Sequence, residues 1–157
     1  TCVYLCRYAK ATFWSRIMRA ELDKQLCEKY PKIFTNRYKS MQETCMCWGF
    51  DVGDGWYQVI DSLCGQIQHH IDWKQEQKEK YGRGDGCEQV VADQVKEKFG
   101  GLRFYYHGGD DKIDGMVCMA ESWAANTCEQ CGNPGKLKGR GWFYTACVEH
   151  TKPEHRL

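Results

Sequence analysis

The chain has 157 residues, of which 42% are hydrophobic, so it can bury the core of one domain, or of a domain with a small appended module. Its 22 basic and 21 acidic residues nearly cancel. Any nucleic-acid function must therefore depend on local patches rather than on overall charge. No apolar run is long enough to cross a bilayer, and we expect no membrane partner.

Eleven cysteines would suit a secreted disulfide scaffold by count alone. Their odd number, and the metal-like spacing of four potential ligands, argue against that class. Residues 1–17 are basic at Arg7, Lys10 and Arg16, but the apolar stretch before Arg7 is too short for a secretory signal. We therefore expect a protein of the reducing cytoplasm. Residues 1–17 would be a leader of doubtful function, and the folded domain would begin at Met18.

The first predicted helix begins near Phe13 or Met18 and ends at Tyr30, because the proline that follows disfavours helical backbone before it. An irregular connection comes next, with a short strand over 47–50. Asp54 is of the residue type that caps a helix N-terminus. After it, apolar residues recur at steps of three and four, which predicts a long amphipathic helix. These residues are Trp56, Val59, Ile60, Leu63, Cys64, Ile67 and Ile71.

The middle of the chain predicts a third helix, then a strand, then a fourth helix. The third helix covers 87–99 and directs Val91, Val95 and Phe99 inward. Alternation over 102–107 predicts a strand, with Leu102, Phe104 and Tyr106 on its apolar face. The fourth helix begins at acidic residues, as helix N-termini favour. These acids are Asp110, Asp111 and Asp114, and its apolar residues are Ile113, Met116, Val117, Ala120 and Ala124.

Four residues near the C-terminus have the spacing of a zinc site: Cys128, Cys131, Cys147 and His150. Two cysteines separated by two residues can bind one ion from a tight turn, and the 15-residue interval that follows allows a β-hairpin to return the second pair. The hairpin strands are predicted around 136–137 and 142–145. Four protein ligands leave no position for water, so we predict one structural Zn²⁺. Coincidence and disulfide bonding are the alternatives, and His155 is an alternative fourth ligand.

These elements predict an α+β fold. Residues 18–126 would form a compact, helix-rich domain with a short β-sheet. Residues 127–157 would form a zinc-ribbon or knuckle module packed on that domain. Cys45 and Cys47 could join Cys27 or Cys87 in a second metal site, although such cysteines are more often buried as small hydrophobic residues.

No reaction centre can be assigned from the remaining residues. His69 and His70 lie near the charged end of the long helix, and we interpret both as solvent-facing. We interpret Cys64 and Cys118 as packing residues. The enzymatic alternative is a small nuclease that uses the two histidines with nearby acids.

Two patches are candidate binding surfaces, because cations beside aromatic rings suit a base, a nucleotide or a phosphodiester backbone. The first is the polar face of the 102–107 strand with its flanking lysines: Lys96, Lys98, Arg103, Tyr105 and His107. The second is the predicted hairpin: Lys136, Lys138, Arg140 and Trp142. The alternative for both is a solvated basic face beside core aromatic residues.

Four segments carry a resemblance to known proteins: CMCWGFDVGDGWYQVIDSLCGQIQ, QVKEKFGGLRFYYHGGD, GMVCMAES and CEQCGNPGKLKGRGWFYTACVEH. Through them, from Cys45 to His150, the chain resembles a family of small proteins encoded by bacteriophages, prophages and their bacterial hosts. The resemblance implies a setting rather than an activity. Accessory phage proteins of this kind commonly inhibit host defence nucleases such as CRISPR effectors, sequester signalling nucleotides or modulate transcription. It also implies translation that begins near Met18.

We therefore expect a non-enzymatic, zinc-stabilised binding protein of phage or prophage origin. It would act in the cytoplasm of the bacterial host on a host protein or protein–nucleic-acid complex. An anti-CRISPR-like inhibitor of bacterial defence is the sharpest form of this prediction. The alternative is direct binding of nucleic acid or a nucleotide, as a transcription modulator or a signalling-nucleotide sponge. The small nuclease is the second alternative.

Overall fold

The computed structural model describes residues 17–156. Within them lie three α-helices, α1 (Ala20–Lys29), α2 (Tyr57–Tyr81) and α3 (Asp111–Ala124), and five strands. The strands are β1 (Phe50–Asp51), β2 (Val91–Lys98), β3 (Gly101–His107), β4 (Lys136–Lys138) and β5 (Tyr144–Ala146). This mixture of helices and small sheets confirms the α+β class. A first helix starting at Phe13 falls outside the described residues. No helix among those described is both long and apolar enough to span a membrane.

The main core is formed by α1, the segment that follows it, α2, α3 and one face of the larger sheet. The predicted apolar side of α2 is buried as expected, including Cys64, and so is most of the apolar side of α3. The N-terminus of α3 is capped by Asp110, whose Oδ1 accepts the backbone N–H of Ile113 at 3.2 Å. That cap satisfies a donor that the helix itself cannot pair. Cys118 is exposed, so its interpretation as a packing residue is wrong.

The larger sheet has the strand order β1-β2-β3, with β1 parallel to β2 and β2 antiparallel to β3. The predicted alternation on β3 is confirmed, since Leu102 and Phe104 are buried while Tyr105 is 42% exposed. A two-residue turn, Phe99 and Gly100, joins β2 to β3. Both residues have positive φ, +53° and +81°, as a two-residue hairpin of type I′ requires.

The predicted helix over 87–99 is wrong, because Val91–Lys98 is strand β2. The pairing of β2 with β3 shifts register between Ala92 and Gln94, where a β-bulge adds one residue. The bulge breaks the two-residue alternation and leaves the buried positions Ala92 and Val95 three residues apart. The four-residue spacing of Val91, Val95 and Phe99 favours a helix, but of these three only Val95 is buried.

Two further local predictions differ from the structure. Residues Cys45–Trp48 form a 3₁₀ turn, and the predicted short strand is confined to β1. Asp54 opens a second 3₁₀ turn and does not cap α2, whose N-cap is Trp56. The Asp54 carboxylate instead accepts the backbone N–H of Arg19 at 2.8 Å, at the N-terminus of α1. The residue type was suited to capping, but it serves the neighbouring helix.

Both edges of the larger sheet have hydrogen-bonding partners. At the β3 edge, the Glu121 carboxylate of α3 accepts the backbone N–H of Phe104 at 3.1 Å. At the β1 edge, the backbone N–H of Met18 donates to the carbonyl of Phe50 at 3.2 Å. Groups that would otherwise be unpaired at these positions are thereby satisfied.

The C-terminal segment, 127–156, contains the antiparallel pair β4–β5 and contacts the main domain directly. Four of the hydrogen bonds that attach it reach residues distant in the sequence: Trp56 Nε1 to Thr127 O at 2.8 Å, Gly55 N to Glu129 O at 2.8 Å, Gly53 N to Glu129 Oε1 at 3.1 Å, and Thr145 Oγ1 to Gly100 O at 2.6 Å. At Gly55 the approach is so close that an added Cβ would lie 2.1 Å from the carbonyl oxygen of Cys128. Only glycine fits there.

Candidate metal centre

The structure brings Cys128, Cys131, Cys147 and His150 together, as their spacing predicts. One ligand atom from each lies within 4.8 Å of the others. The first two come from the turn that precedes β4, and the last two from the turn that follows β5. The hairpin therefore returns the second pair of ligands to the first.

Two tight turns orient the ligands. In the first, the amide of Gly132 donates to the carbonyl of Cys128 at 2.9 Å, and Gly132 has a φ of +79° that favours glycine. In the second, the hydroxyl of Thr151 donates to the carbonyl of Cys147 at 2.7 Å. Thr151 is itself buried, so this hydrogen bond fixes the backbone that carries the second pair.

Three of the separations between ligand atoms are compatible with a tetrahedral metal site. Zinc bonds of roughly 2.3 Å to sulfur and 2.0–2.1 Å to nitrogen place tetrahedral sulfur atoms roughly 3.8 Å apart, and sulfur and nitrogen roughly 3.6 Å apart. Cys131 Sγ lies 3.8 Å from Cys147 Sγ. His150 Nδ1 lies 3.6 Å from Cys128 Sγ and 3.3 Å from Cys147 Sγ. The sulfur–sulfur separation is far longer than the roughly 2.05 Å of a disulfide bond.

The electrostatics of the cluster favour a thiolate at one position. Burial by itself would raise the pKa of the Cys147 thiol. Hydrogen bonds from the backbone N–H and the imidazole of His150 outweigh burial and lower that pKa to about 7. Metal-ligating cysteines bind as thiolates, so this environment is compatible with coordination.

His155 is not an alternative fourth ligand. Its Nδ1 lies 2.8 Å from the hydroxyl of Tyr144, and it does not belong to the group formed by the four predicted ligands. The described residues likewise do not bring Cys45 and Cys47 together with Cys27 or Cys87 in a group of three or more potential ligands.

The first candidate binding patch is partly neutralised by acids. Arg103 Nη1 lies 3.9 Å from Glu121, and His107 Nδ1 lies 2.9 Å from Asp93. Tyr105 is exposed on the same outward face. Lys96 of β2 lies directly opposite Arg103 of β3 in the strand register. The Lys98 ammonium lies 5.6 Å from the ring centroid of Phe99. These residues therefore do not form an uncompensated basic strip.

The second candidate patch is divided between one side of strand β4 and the turn between β4 and β5. Alternation along β4 directs Lys136 and Lys138 to the side opposite Leu137. Leu137 faces Gly100 of the β2–β3 turn, since a Cβ added at Gly100 would lie 2.3 Å from its Cδ1. Arg140 and Trp142 lie in the turn between the strands, where Trp142 is 56% exposed.

Sequence reasoning missed an exposed apolar group beside that turn. Phe99, Leu137 and Phe143 are 73%, 56% and 38% exposed. Both Leu137 and the backbone of Phe143 approach Gly100, so the three residues adjoin the same point of the main domain. We call these three residues the turn–hairpin surface. The predicted helix over 87–99 places Phe99 on its buried side, so the sequence does not indicate that this residue is exposed.

His70 is buried, and its interpretation as solvent-facing is wrong. Its Nε2 lies 2.8 Å from Asp110 Oδ2, and the residue is only 7% exposed. His69 is exposed, as predicted. A signal for this difference was present, because His70 follows Ile67 by three residues and therefore shares the buried side of α2.

Comparisons with protein-family models, with curated proteins and with solved structures find no match to this chain.

Proposed function

We propose that Cys128, Cys131, Cys147 and His150 hold one structural Zn²⁺ and that the segment around them is a zinc-ribbon module. Three thiolates and an imidazole are a ligand set that Zn²⁺ binds well. The observed separations need little adjustment for tetrahedral coordination. With four protein ligands the ion would have no open position, so its role would be to hold the turns and the hairpin in place.

We further propose that the protein works by binding, and that the turn–hairpin surface contacts the partner. The observation that carries this proposal is the exposed ring of Phe99 on a backbone with positive φ. An L-residue at φ +53° costs roughly 1–2 kcal/mol, and this residue is nevertheless 73% exposed. Residues held in such sparsely populated backbone conformations cluster at functional sites, which supports a binding role for the exposed ring. Leu137 and Phe143 extend the apolar surface beside it.

The partner proposed is a host protein or protein–nucleic-acid complex. Exposed apolar residues suit a protein surface, whereas Lys136, Lys138 and Arg140 would meet acidic groups or phosphates of the same complex. The resemblance to phage and prophage proteins supplies the setting. The proposed activity is therefore an anti-defence function in the cytoplasm of a bacterial host, of the anti-CRISPR kind.

The substitution Phe99→Asn tests this proposal, because asparagine tolerates positive φ and removes the ring. We expect the variant to be at least as stable as the wild type and to lose partner binding at least tenfold. The matched control is Tyr38→Ala, which removes a 75% exposed aromatic ring from the loop after α1. Partners would be captured from phage-infected host cells, identified by mass spectrometry, purified and titrated against all three proteins. Equal affinity of Phe99→Asn and wild type would overturn the proposal.

A second candidate function, direct binding of nucleic acid or a nucleotide, is favoured by the three cations of the hairpin. Phosphate contacts release counterions, so the affinity of such a complex should fall steeply with salt. Charge reversal at Lys136, Lys138 and Arg140 should then reduce the salt slope by about one for each phosphate that is no longer neutralised. A protein complex that depends on Phe99 should show a shallow slope, which distinguishes the two functions.

A further inference from the structure

A second group of potential metal ligands lies in the main domain and shares no residue with the four-residue centre. His70 of α2, Cys87 of the segment before β2, and Asp110 at the N-terminus of α3 place one ligand atom each within 4.8 Å of one another. His70 is buried, and the other two are half-buried. The three residues come from separate segments of the chain, so the tertiary fold alone creates the group.

Glycine-rich backbone brings Cys87 and Asp110 together. The segment before β2 packs on the turn after β3, where the amide of Gly109 donates to the carbonyl of Glu88 at 3.1 Å. At Gly108, with a φ of +82°, an added Cβ would lie 2.3 Å from the carbonyl oxygen of Gln89. A larger residue at Gly108 would push these two segments apart. It would therefore separate the thiol of Cys87 from the carboxylate of Asp110.

We propose that His70, Cys87 and Asp110 form a second metal site, which takes Zn²⁺ with three protein ligands. Nitrogen, sulfur and oxygen ligands are each accepted by zinc, and three protein ligands leave a fourth position for water or an added ligand. A histidine–aspartate pair would by itself link α2 to α3. The thiol of Cys87 lies beside that pair, where it makes a side-chain hydrogen bond with Asp110 and a 3.6 Å contact with the carbonyl of Glu88.

The surroundings of the site are compatible with an exchangeable ligand. His70 and Asp110 line an open cleft of about 540 Å³, together with Trp73, Lys74, Asp111 and Lys112. The ammonium of Lys74 lies 3.4 Å from Asp110 Oδ2. It competes with a cation for that oxygen, but its long side chain is one-third exposed and can move towards solvent. When Lys74 has moved away from Asp110, the positive charges of Lys74 and Lys112 favour water, hydroxide or a small anion at the fourth position of the metal.

Metal stoichiometry tests the site. The full chain would be reconstituted with Zn²⁺ under reducing conditions, and the ions bound per chain would be counted by elemental analysis at saturation. We expect two equivalents for the wild type and one for Cys87→Ala and for His70→Ala. The matched control, His69→Ala, removes the exposed neighbour of His70 and should retain two equivalents. Far-ultraviolet circular dichroism would check that each variant is folded.

Competition by Lys74 gives a second measurement that does not remove a ligand. Lys74→Ala should bind the second equivalent several-fold more tightly than the wild type, because the ammonium no longer occupies the carboxylate. A wild type that saturates at one equivalent, with that equivalent retained by Cys87→Ala, would overturn the proposal. So would a second equivalent that survives Cys87→Ala and His70→Ala, or an affinity that Lys74→Ala leaves unchanged. None of these results would affect the four-residue centre, whose ligands are separate.

Discussion

Replacing Cys147 by serine tests whether metal, rather than packing, holds the C-terminal segment. The buried cluster of that segment consists of Cys128, Tyr144, Ala146 and Cys147 alone, and two of these are candidate ligands. Burial of Tyr144 and Ala146 stabilises the segment by about 3 kcal/mol. A structural Zn²⁺ contributes roughly 10–16 kcal/mol in small modules. Without a full ligand set, we expect 127–156 to lose its ordered structure.

The main domain should survive this substitution, because its core contains none of the four ligands. It would lose the four long-range hydrogen bonds that join Gly53, Gly55, Trp56 and Gly100 to the C-terminal segment. At about 1 kcal/mol each, their loss should lower the free energy of unfolding of the main domain by about 4 kcal/mol. A cooperative unfolding transition should remain.

Hydrogen exchange read by mass spectrometry would measure the order of 127–156, and urea denaturation followed by circular dichroism would measure the main domain. The control is Cys118→Ser, which changes an exposed cysteine on α3 that lies outside the centre. It should retain both the protection of 127–156 and the wild-type midpoint. Full protection of 127–156 in Cys147→Ser would refute the reasoning, and so would complete unfolding of the main domain.

Four further substitutions test the main domain by urea denaturation. Asp23→Ala should lower the free energy of unfolding by about 3 kcal/mol, because it leaves the largely buried guanidinium of Arg37 without its two-point partner; a loss below about 1 kcal/mol would contradict this. Gly115→Ala should raise the free energy of unfolding by about 1 kcal/mol, because the added Cβ meets open space on α3. Gly108→Ala should lower it by about 2 kcal/mol, because Gly108 has a positive φ and its added Cβ would meet the carbonyl oxygen of Gln89. Equal effects of the two substitutions on the free energy of unfolding would contradict this reasoning. Burial raises the pKa of Tyr30 to about 12, so the stability it confers is complete below pH 10 and is lost as pH rises towards 12. Tyr30→Phe should flatten that decline, and an unchanged profile would count against it.

The parts of the fold that the sequence predicts well are those with an uninterrupted period. The buried side of α2 repeats over four turns, and β3 alternates without a break, so each pattern has a single interpretation. The four C-terminal ligands are predictable for a similar reason, because their spacing reflects the size of one ion. In β2 the bulge at Ala92 and Gln94 interrupts the alternation, and the remaining spacing favours a helix.

Features that depend on distant partners could not be predicted. His70 and Asp110 are 40 residues apart, and nothing in either neighbourhood indicates the other. Asp54 has a typical capping side chain, but its partner is the backbone of Arg19, 35 residues earlier. Phe99 is exposed because it lies in the β2–β3 turn. The sequence pattern predicts a helix over 87–99 and therefore no turn at this position.

The occupied edges of the larger sheet restrict how another protein can be recognised. Because Glu121 and Met18 take backbone groups of β3 and β1, an incoming extended peptide would have to displace them before it could extend the sheet. Recognition by β-augmentation would therefore have to compete with one existing bond at each edge. A partner that binds through side chains meets no such competition, and side chains can change one at a time without disturbing the strand register. The same two bonds hinder edge-to-edge pairing of two copies of the chain at these positions.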